Sequence, residues 1–231
     1  MSRSWPLRRG AAARLSRIDG ILDAAYGSSE SGLGNKDDPL DEAIYIILSF
    51  QTNLSRVKST WSALRAAYPS WEALEQAPAT KVAHVLRGGG LHHQKARTIG
   101  RLLFAVRRFG GELSLDLLRG MNDADAERIL TRLLGLSWKG ARCVLLYGLR
   151  RDVFPVDGNT FRILRRSGVL AACAVYRQRR LHDALQASVP AARRRSLHVN
   201  LVVHGQRTCI PRSPRCPDCP LLALCARMDL H

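Results

Sequence analysis

Alternation of apolar and polar residues at period two, the mark of half-buried strands, is almost absent from this chain, which argues against sandwiches and barrels. No apolar run approaches the roughly 20 residues of a membrane-spanning helix, and no apolar core of a secretory signal follows the N-terminus. Repeats are missing too. The one polar, glycine-containing stretch that could serve as a linker runs from Gly27 to Asp38. Acid is scarce: 19 Asp and Glu stand against 36 Lys and Arg, a formal net charge of +17. That excess is the electrostatic footprint of a polyanion binder. Arginines carry most of it, in the groups Arg177, Arg179, Arg180; Arg193, Arg194, Arg195; and Arg212, Arg215. Arginine suits bidentate phosphate contacts, so nucleic acid is the expected partner. The first 18 residues hold Arg3, Arg8, Arg9, Arg14 and Arg17 with no acid, a composition shared by organellar transit peptides. The spacing of Leu15, Ile18, Ile21 and Leu22 instead predicts a basic arm that leads into a helix.

What the chain does have is helical periodicity. With 231 residues and 46% apolar content there is room for one large domain or two modest ones. Leu40 to Leu48 reads as a buried helix; Val57, Trp61 and Leu64 form one amphipathic stripe and Ile99, Leu102, Leu103 and Val106 another. Asn122 with Asp125 three residues on, and Pro78 in a first turn, mark helix starts. Gly88-Gly89-Gly90 and Gly110-Gly111 mark breaks. The expected class is all-α.

Four of the six cysteines fall in one run, Cys209-x6-Cys216-x2-Cys219-x5-Cys225. Thiols this dense must converge, on a zinc ion or on an iron–sulfur cluster. Zinc ribbons present two short Cys-x2-Cys knuckles, and here there is one, so the spacing favours a [4Fe-4S] cluster. Disulfides fit less well without a secretory signal. The other two, Cys143 and Cys173, are expected in apolar helical surroundings.

The segment Leu133 to Tyr147 places an apolar–Gly–apolar turn between two helical patterns, a helix-hairpin-helix whose turn can offer backbone N–H groups to a phosphate. An ordinary αα-corner would share that turn. Lys139 lies in the first turn of the second helix, where the macrodipole disfavours a cation, and an amine so placed is a candidate Schiff-base nucleophile as well as a candidate phosphate contact. Asp157 then precedes another helical stretch, as an N-cap whose carboxylate can also face a cationic substrate.

In order and spacing, the hairpin, Lys139, Val156-Asp157 with Phe161-Arg162, and the cysteine run resemble the helix-hairpin-helix DNA glycosylases of the endonuclease III type, over nearly the whole chain. Leu48-Ser49-Phe50-Gln51 is similar to the family segment whose glutamine fills the gap left by an extruded nucleotide. Gly90-Leu91 and the residues to Ala96 resemble the loop whose leucine wedges into the duplex. Ser137 replaces the second hairpin glycine, so the backbone must accept a Cβ there. Gly158 and Asn159 stand where the family usually has Thr and His, and Leu54 where an acidic residue is frequent. The wording around Lys139 and Asp157 is also similar to plant 5-methylcytosine glycosylases, whose accessory regions this chain does not carry.

The resemblance implies a helical barrel domain over 33–151 containing the hairpin, and an iron–sulfur domain from 1–32 plus 152–231, with DNA held across the cleft between them. Catalysis falls to Lys139 and Asp157; DNA contacts to Gln51, Leu91, Gly135, Ser137, Gly140, Arg212 and Arg215; cluster ligation to Cys209, Cys216, Cys219 and Cys225. The implied activity is a bifunctional glycosylase and AP lyase that excises damaged bases, oxidised pyrimidines first, from double-stranded DNA and cleaves the abasic strand by β-elimination. A monofunctional mismatch or alkyl-base glycosylase would need no lysine nucleophile. A catalytically weak damaged-DNA-binding protein would accommodate the changes at Leu54, Gly158 and Asn159. The expected setting is the cytoplasm, on the nucleoid, with the chain a monomer.

Overall fold

The computed structural model describes residues 5–27 and 33–228. Arg3 of the basic arm and residues 28–32 of the expected linker lie outside the described residues. The described residues are all-α, with a single antiparallel bridge between Leu7 and Leu170. The helices are α1 (Ala11–Tyr26), α2 (Pro39–Leu48), α3 (Leu54–Ala67), α4 (Trp71–Glu75), α5 (Ala79–Val85), α6 (His92–Gly110), α7 (Asp123–Arg128), α8 (Trp138–Cys143), α9 (Gly158–Arg166), α10 (Arg179–Ser188) and α11 (Ala191–Arg207). Two compact units contain them: Leu33–Arg151, and Met1–Gly32 with Asp152–His231.

In the unit Leu33–Arg151, α2 is the central element. Asp38 starts it by accepting the amides of Leu40 and Asp41 at 2.9 and 2.8 Å, and Pro39 at the first position pre-sets φ. Every residue of α2 except Asp41 is buried. Gly148 lets the π-helical turn Val144–Gly148 that follows α8 touch it, since a Cβ there would lie 2.6 Å from the Cα of Pro39. The Ile99, Leu102, Leu103 and Val106 stripe of α6 is fully buried, as its spacing predicts. Asn122 caps α7 on the Asp125 amide at 2.9 Å. Across the hairpin, Arg142 Nε donates to Glu127 Oε2 at 2.7 Å, with the two side chains only 2% and 7% exposed. Removing one partner of such a buried pair strands a charge, at about 3–5 kcal/mol, so the pair ties α7 to α8. Pro78 sits one place earlier than expected, as the N-cap of α5, because its carbonyl accepts from Lys81 and Val82 at 2.9 and 3.2 Å.

The second unit packs α11 against both α1 and α9 around Leu15, Ile18, Leu22, Ile163, Leu164, Leu185 and Leu201. Truncating one of these, for example Leu22→Ala, removes about 2–5 kcal/mol. Arg193 of α11 clamps α1 by donating to Asp19 at 2.6 Å and Asp23 at 3.0 Å. Cys143 is buried in a helix as expected, whereas Cys173 is exposed in a turn between α9 and α10: the polar-flanked tail of its apolar run cannot extend the helix past the left-handed Gly168.

Candidate functional site

The hairpin begins where α7 widens into a π-helical turn over Ile129–Leu133, and it turns at Gly135, whose φ of +69° is costly for any residue with a Cβ. Leu136 closes the turn with its amide on the Leu130 carbonyl at 3.0 Å. Ser137 departs from expectation in a useful way. Its φ is −67°, an ordinary extended value, so its Cβ needs no accommodation, and its Oγ accepts the Gly140 amide at 3.1 Å as the N-cap of α8. Gly135 and Ser137 are exposed. Gly140 is buried, its amide is engaged by Ser137, and a Cβ there would sit 3.5 Å from Ile46 Cγ2, so it faces α2.

Lys139 follows two residues after that cap. It is half-buried and joins no hydrogen bond or salt bridge among the described residues. Its charge reaches Glu42, a fully buried carboxyl on α2 that sequence reading passed over. Burial pushes Glu42 up to about 8; the Lys36 amide at 2.7 Å and Asn35 Nδ2 at 2.6 Å pull it back, followed by the charge of Lys139. The signal was there: an acid on the buried face of the apolar run from Leu40 to Leu48.

Asp157 caps α9 with one oxygen and is held by the other. Oδ1 accepts the Thr160 amide at 2.7 Å, and Oδ2 accepts from Asn159 Nδ2 at 3.0 Å. Asn159 Oδ1 in turn accepts from Arg162 Nη2 at 2.8 Å, and Arg162 also donates to the carbonyls of Gly205 and Cys209, both at 2.9 Å. A continuous hydrogen-bond chain therefore runs from Asp157 to the entry of the cysteine loop. Asn159 owes its position to the bare backbone of α11, because a Cβ on Gly205 would lie 2.6 Å from the Cβ of Asn159.

Gln51 and Leu91 share an unusual backbone. Gln51, exposed in the turn after α2, has φ +50°, and Leu91, 43% exposed at the N-cap of α6, has φ +48°. Left-handed conformation at a non-glycine residue costs on the order of 1–3 kcal/mol and collects at functional positions.

The four run cysteines are free thiols that line one pocket with Arg166, Thr208 and Arg215. Burial raises Cys219, the Leu221 amide lowers it, and the nearby Cys209, Cys225 and Cys216 raise it again. Arg166 Nη1 lies 3.3 Å from Cys209 Sγ, and the Arg227 amide donates to Cys225 Sγ at 3.4 Å. Among the described residues, no three His, Cys, Asp or Glu side chains are gathered closely enough to hold a single metal ion. Zinc–sulfur bonds of about 2.3 Å require sulfurs roughly 3.8 Å apart, whereas a cubane carries its thiolates at its corners, farther from one another. Four cysteine thiols lining one pocket are the donor set that a [4Fe-4S] cluster takes.

The arginine groups divide. Arg212 and Arg215 are exposed between the first two cysteines. Arg193 and Arg194, expected on phosphates, work internally instead: Arg193 on Asp19 and Asp23, Arg194 on the carbonyls of Asp152, Gln186 and Val189 at 2.6, 2.9 and 3.0 Å. Arg179 pairs with Asp183, and Arg180 lies over the Trp5 ring. No helix among the described residues is long and apolar enough to cross a membrane.

Endonuclease III of Synechocystis sp. is 28% identical to this chain over 208 residues, 89% of this chain and 88% of that protein. An Arabidopsis thaliana protein provisionally named a DNA glycosylase is 28% identical over 171 residues, 74% of this chain, which spans 58% of that relative's length. A solved structure of a non-covalent endonuclease III–DNA complex shares the fold with a TM-score of 0.76 over 94% of this chain and 95% of that one, at 20% identity. The model of the HhH-GPD superfamily, base excision DNA repair proteins, matches residues 44–182, more than half of the chain. The chain belongs to the HhH-GPD superfamily of base excision DNA repair proteins.

Proposed function

We propose that this protein is a bifunctional DNA glycosylase and AP lyase of the endonuclease III type, acting as a monomer on damaged double-stranded DNA in the cytoplasm, with oxidised pyrimidines its first substrates. The observation that carries the reading is the state of Lys139: an amine in the first turn of the hairpin's second helix, reachable by solvent and engaged by no hydrogen bond or salt bridge among the described residues. A structural lysine would be paired; a nucleophile must be available.

In the mechanism, the damaged nucleotide leaves the stack, and Gln51 and Leu91 fill the space it vacates. Asp157 takes a proton from Lys139 and stabilises the positive charge that develops on the sugar. The Lys139 nitrogen bonds to C1′, the C1′–N bond to the base breaks, and the base leaves with a proton. As the sugar ring opens, the nitrogen becomes an imine. Loss of a proton from C2′ then breaks the C3′–O bond, releasing the 3′ phosphate, and water returns the lysine. The exposed turn at Gly135 and Ser137, with Arg212 and Arg215, supplies phosphate contacts. Cys209, Cys216, Cys219 and Cys225 would hold a [4Fe-4S] cluster, which when bound staples the last loop of its unit. Anaerobically purified protein should contain about four irons per chain; stoichiometric zinc without iron would refute that assignment.

The test is borohydride reduction on an abasic duplex beside a panel of thymine-glycol, uracil-mismatch and alkylated-base duplexes. A covalent protein–DNA adduct with the abasic duplex supports the lyase. If nothing is trapped while damaged DNA is still bound, the protein recognises lesions without this chemistry.

A further inference from the structure

Lys95 takes no part in that mechanism, yet it is among the most buried side chains of the molecule, 2% exposed on the apolar stripe that continues through Ile99 and Leu102. Its ammonium uses all three protons. Nζ donates to the Leu48 carbonyl at 2.8 Å, to Thr52 Oγ1 at 2.6 Å and to the Gly89 carbonyl at 2.8 Å. These acceptors come from two separate turns. Leu48 and Thr52 bracket Gln51; Gly89 stands two residues before Leu91. Thr52 Oγ1 also lies 2.6 Å from the Gly89 carbonyl, so hydroxyl and ammonium knit the same junction. Gly89 is pressed against α3, since a Cβ there would come within 2.9 Å of Thr60 Oγ1, and the turn is thereby fixed from its other side.

We infer that Lys95 is a positioning residue for duplex invasion: it locks the Gln51 turn to the Leu91 turn so that two side chains on strained backbone enter the base stack as one rigid device. This rests on the proposed intercalating role of Gln51 and Leu91. Stability alone does not account for the residue. A leucine or methionine would fill the stripe without the desolvation that pushes Lys95 down to about 8. What the ammonium adds is the holding of three oxygens in turns whose left-handed residues, φ +50° and +48°, would otherwise relax. Neither turn can then move without the other, which suits two inserts that fill one gap.

The experiment compares wild type, Lys95→Met, Gln51→Ala/Leu91→Ala and the triple variant. It measures melting temperature, affinity for undamaged duplex, and the fluorescence of 2-aminopurine beside an abasic site, which rises when bases unstack. Lys95→Met strips three oxygens of a donor and should melt somewhat lower than wild type while binding undamaged duplex equally; its unstacking signal and its preference for the abasic duplex should fall about tenfold. In the Gln51→Ala/Leu91→Ala background the same change should add less than twofold, because nothing remains to be positioned. If Lys95→Met unstacks DNA as wild type does while the double variant is impaired, the inference is overturned and the intercalating reading stands. If the double variant is itself unimpaired, both fall. Equal loss on damaged and undamaged DNA also overturns the inference. Should Lys95→Met fail to fold, Thr52→Val decides in its place: it must show the same selective loss in smaller measure, and normal unstacking by it counts against the lock.

Discussion

The first turns of α8 and α9 are built alike and used differently. Each starts at a residue whose side-chain oxygen accepts the amide three places on, Ser137 for Gly140 at 3.1 Å and Asp157 for Thr160 at 2.7 Å. In α8 the cap is only a cap, and the side chain of the candidate nucleophile Lys139 follows it with no hydrogen bond or salt bridge among the described residues. In α9 the cap is the candidate activator, and its second oxygen is held by Asn159. The proposed chemistry explains the contrast. A nucleophile must travel onto carbon, so restraint would oppose it; a carboxylate that steadies developing charge works best when already in place.

The largest effect should come from the free side of the comparison. Lys139→Gln is expected to abolish borohydride trapping while leaving undamaged-DNA affinity within about twofold, because the nitrogen that forms the imine is gone and the hairpin cap remains. Trapping at the wild-type level would mean that another amine reacts. On the held side, Asp157→Asn keeps a capping oxygen and removes the charge but sets an NH2 against Asn159 Nδ2, so base excision should slow by on the order of 10²-fold with only a small fall in melting temperature. Single-turnover excision measures it, and a loss below about fivefold would deny Asp157 its role. Asn159→Ala asks whether the holding itself matters. Freed of its second partner, Asp157 should lose roughly tenfold in excision rate; a wild-type rate would reduce the contrast between the two helices to a coincidence of packing.

The last test concerns the surroundings of Lys139 and reads stability instead of rate. Glu42 is pushed up to about 8 by burial, so the stability it lends as a neutral acid is complete below about pH 4.5 and is lost as pH rises through 8. Glu42→Gln should therefore gain on wild type across that window, by up to about 1.4 kcal/mol per pH unit, and melting curves at pH 5, 6.5 and 8 would show the gap moving in its favour. A constant gap would mean that Glu42 is ionised throughout.

Much of this was legible. The α2 and α6 stripes, the Asn122 cap and the glycine breaks at Gly90 and Gly111 follow from local rules, and the structure has them where the sequence puts them. Non-local partners were not. Arg193 and Arg194 are neighbours in sequence but point about 100° apart on a helix, so one meets α1 and the other the loops beside α10. Sequence shows at Ser137 only a missing glycine; that it caps α8 depends on the φ of −67° which the turn imposes. Lys95 stands visibly on an apolar stripe, but its acceptor at Leu48 lies 47 residues away. A charge on a buried face could be flagged from sequence, and its purpose could not.

The contact between Gly205 and Asn159 makes two distant positions behave as one inherited trait. Bare backbone on α11 leaves the space in which Asn159 reaches Asp157. A lineage that enlarges residue 205 must also shrink or turn residue 159, and with it surrenders the grip on the carboxylate. Under the proposed chemistry, Gly205→Ala would thus score in a genetic screen like a substitution of Asp157, though it adds one methyl group and deletes no reactive atom.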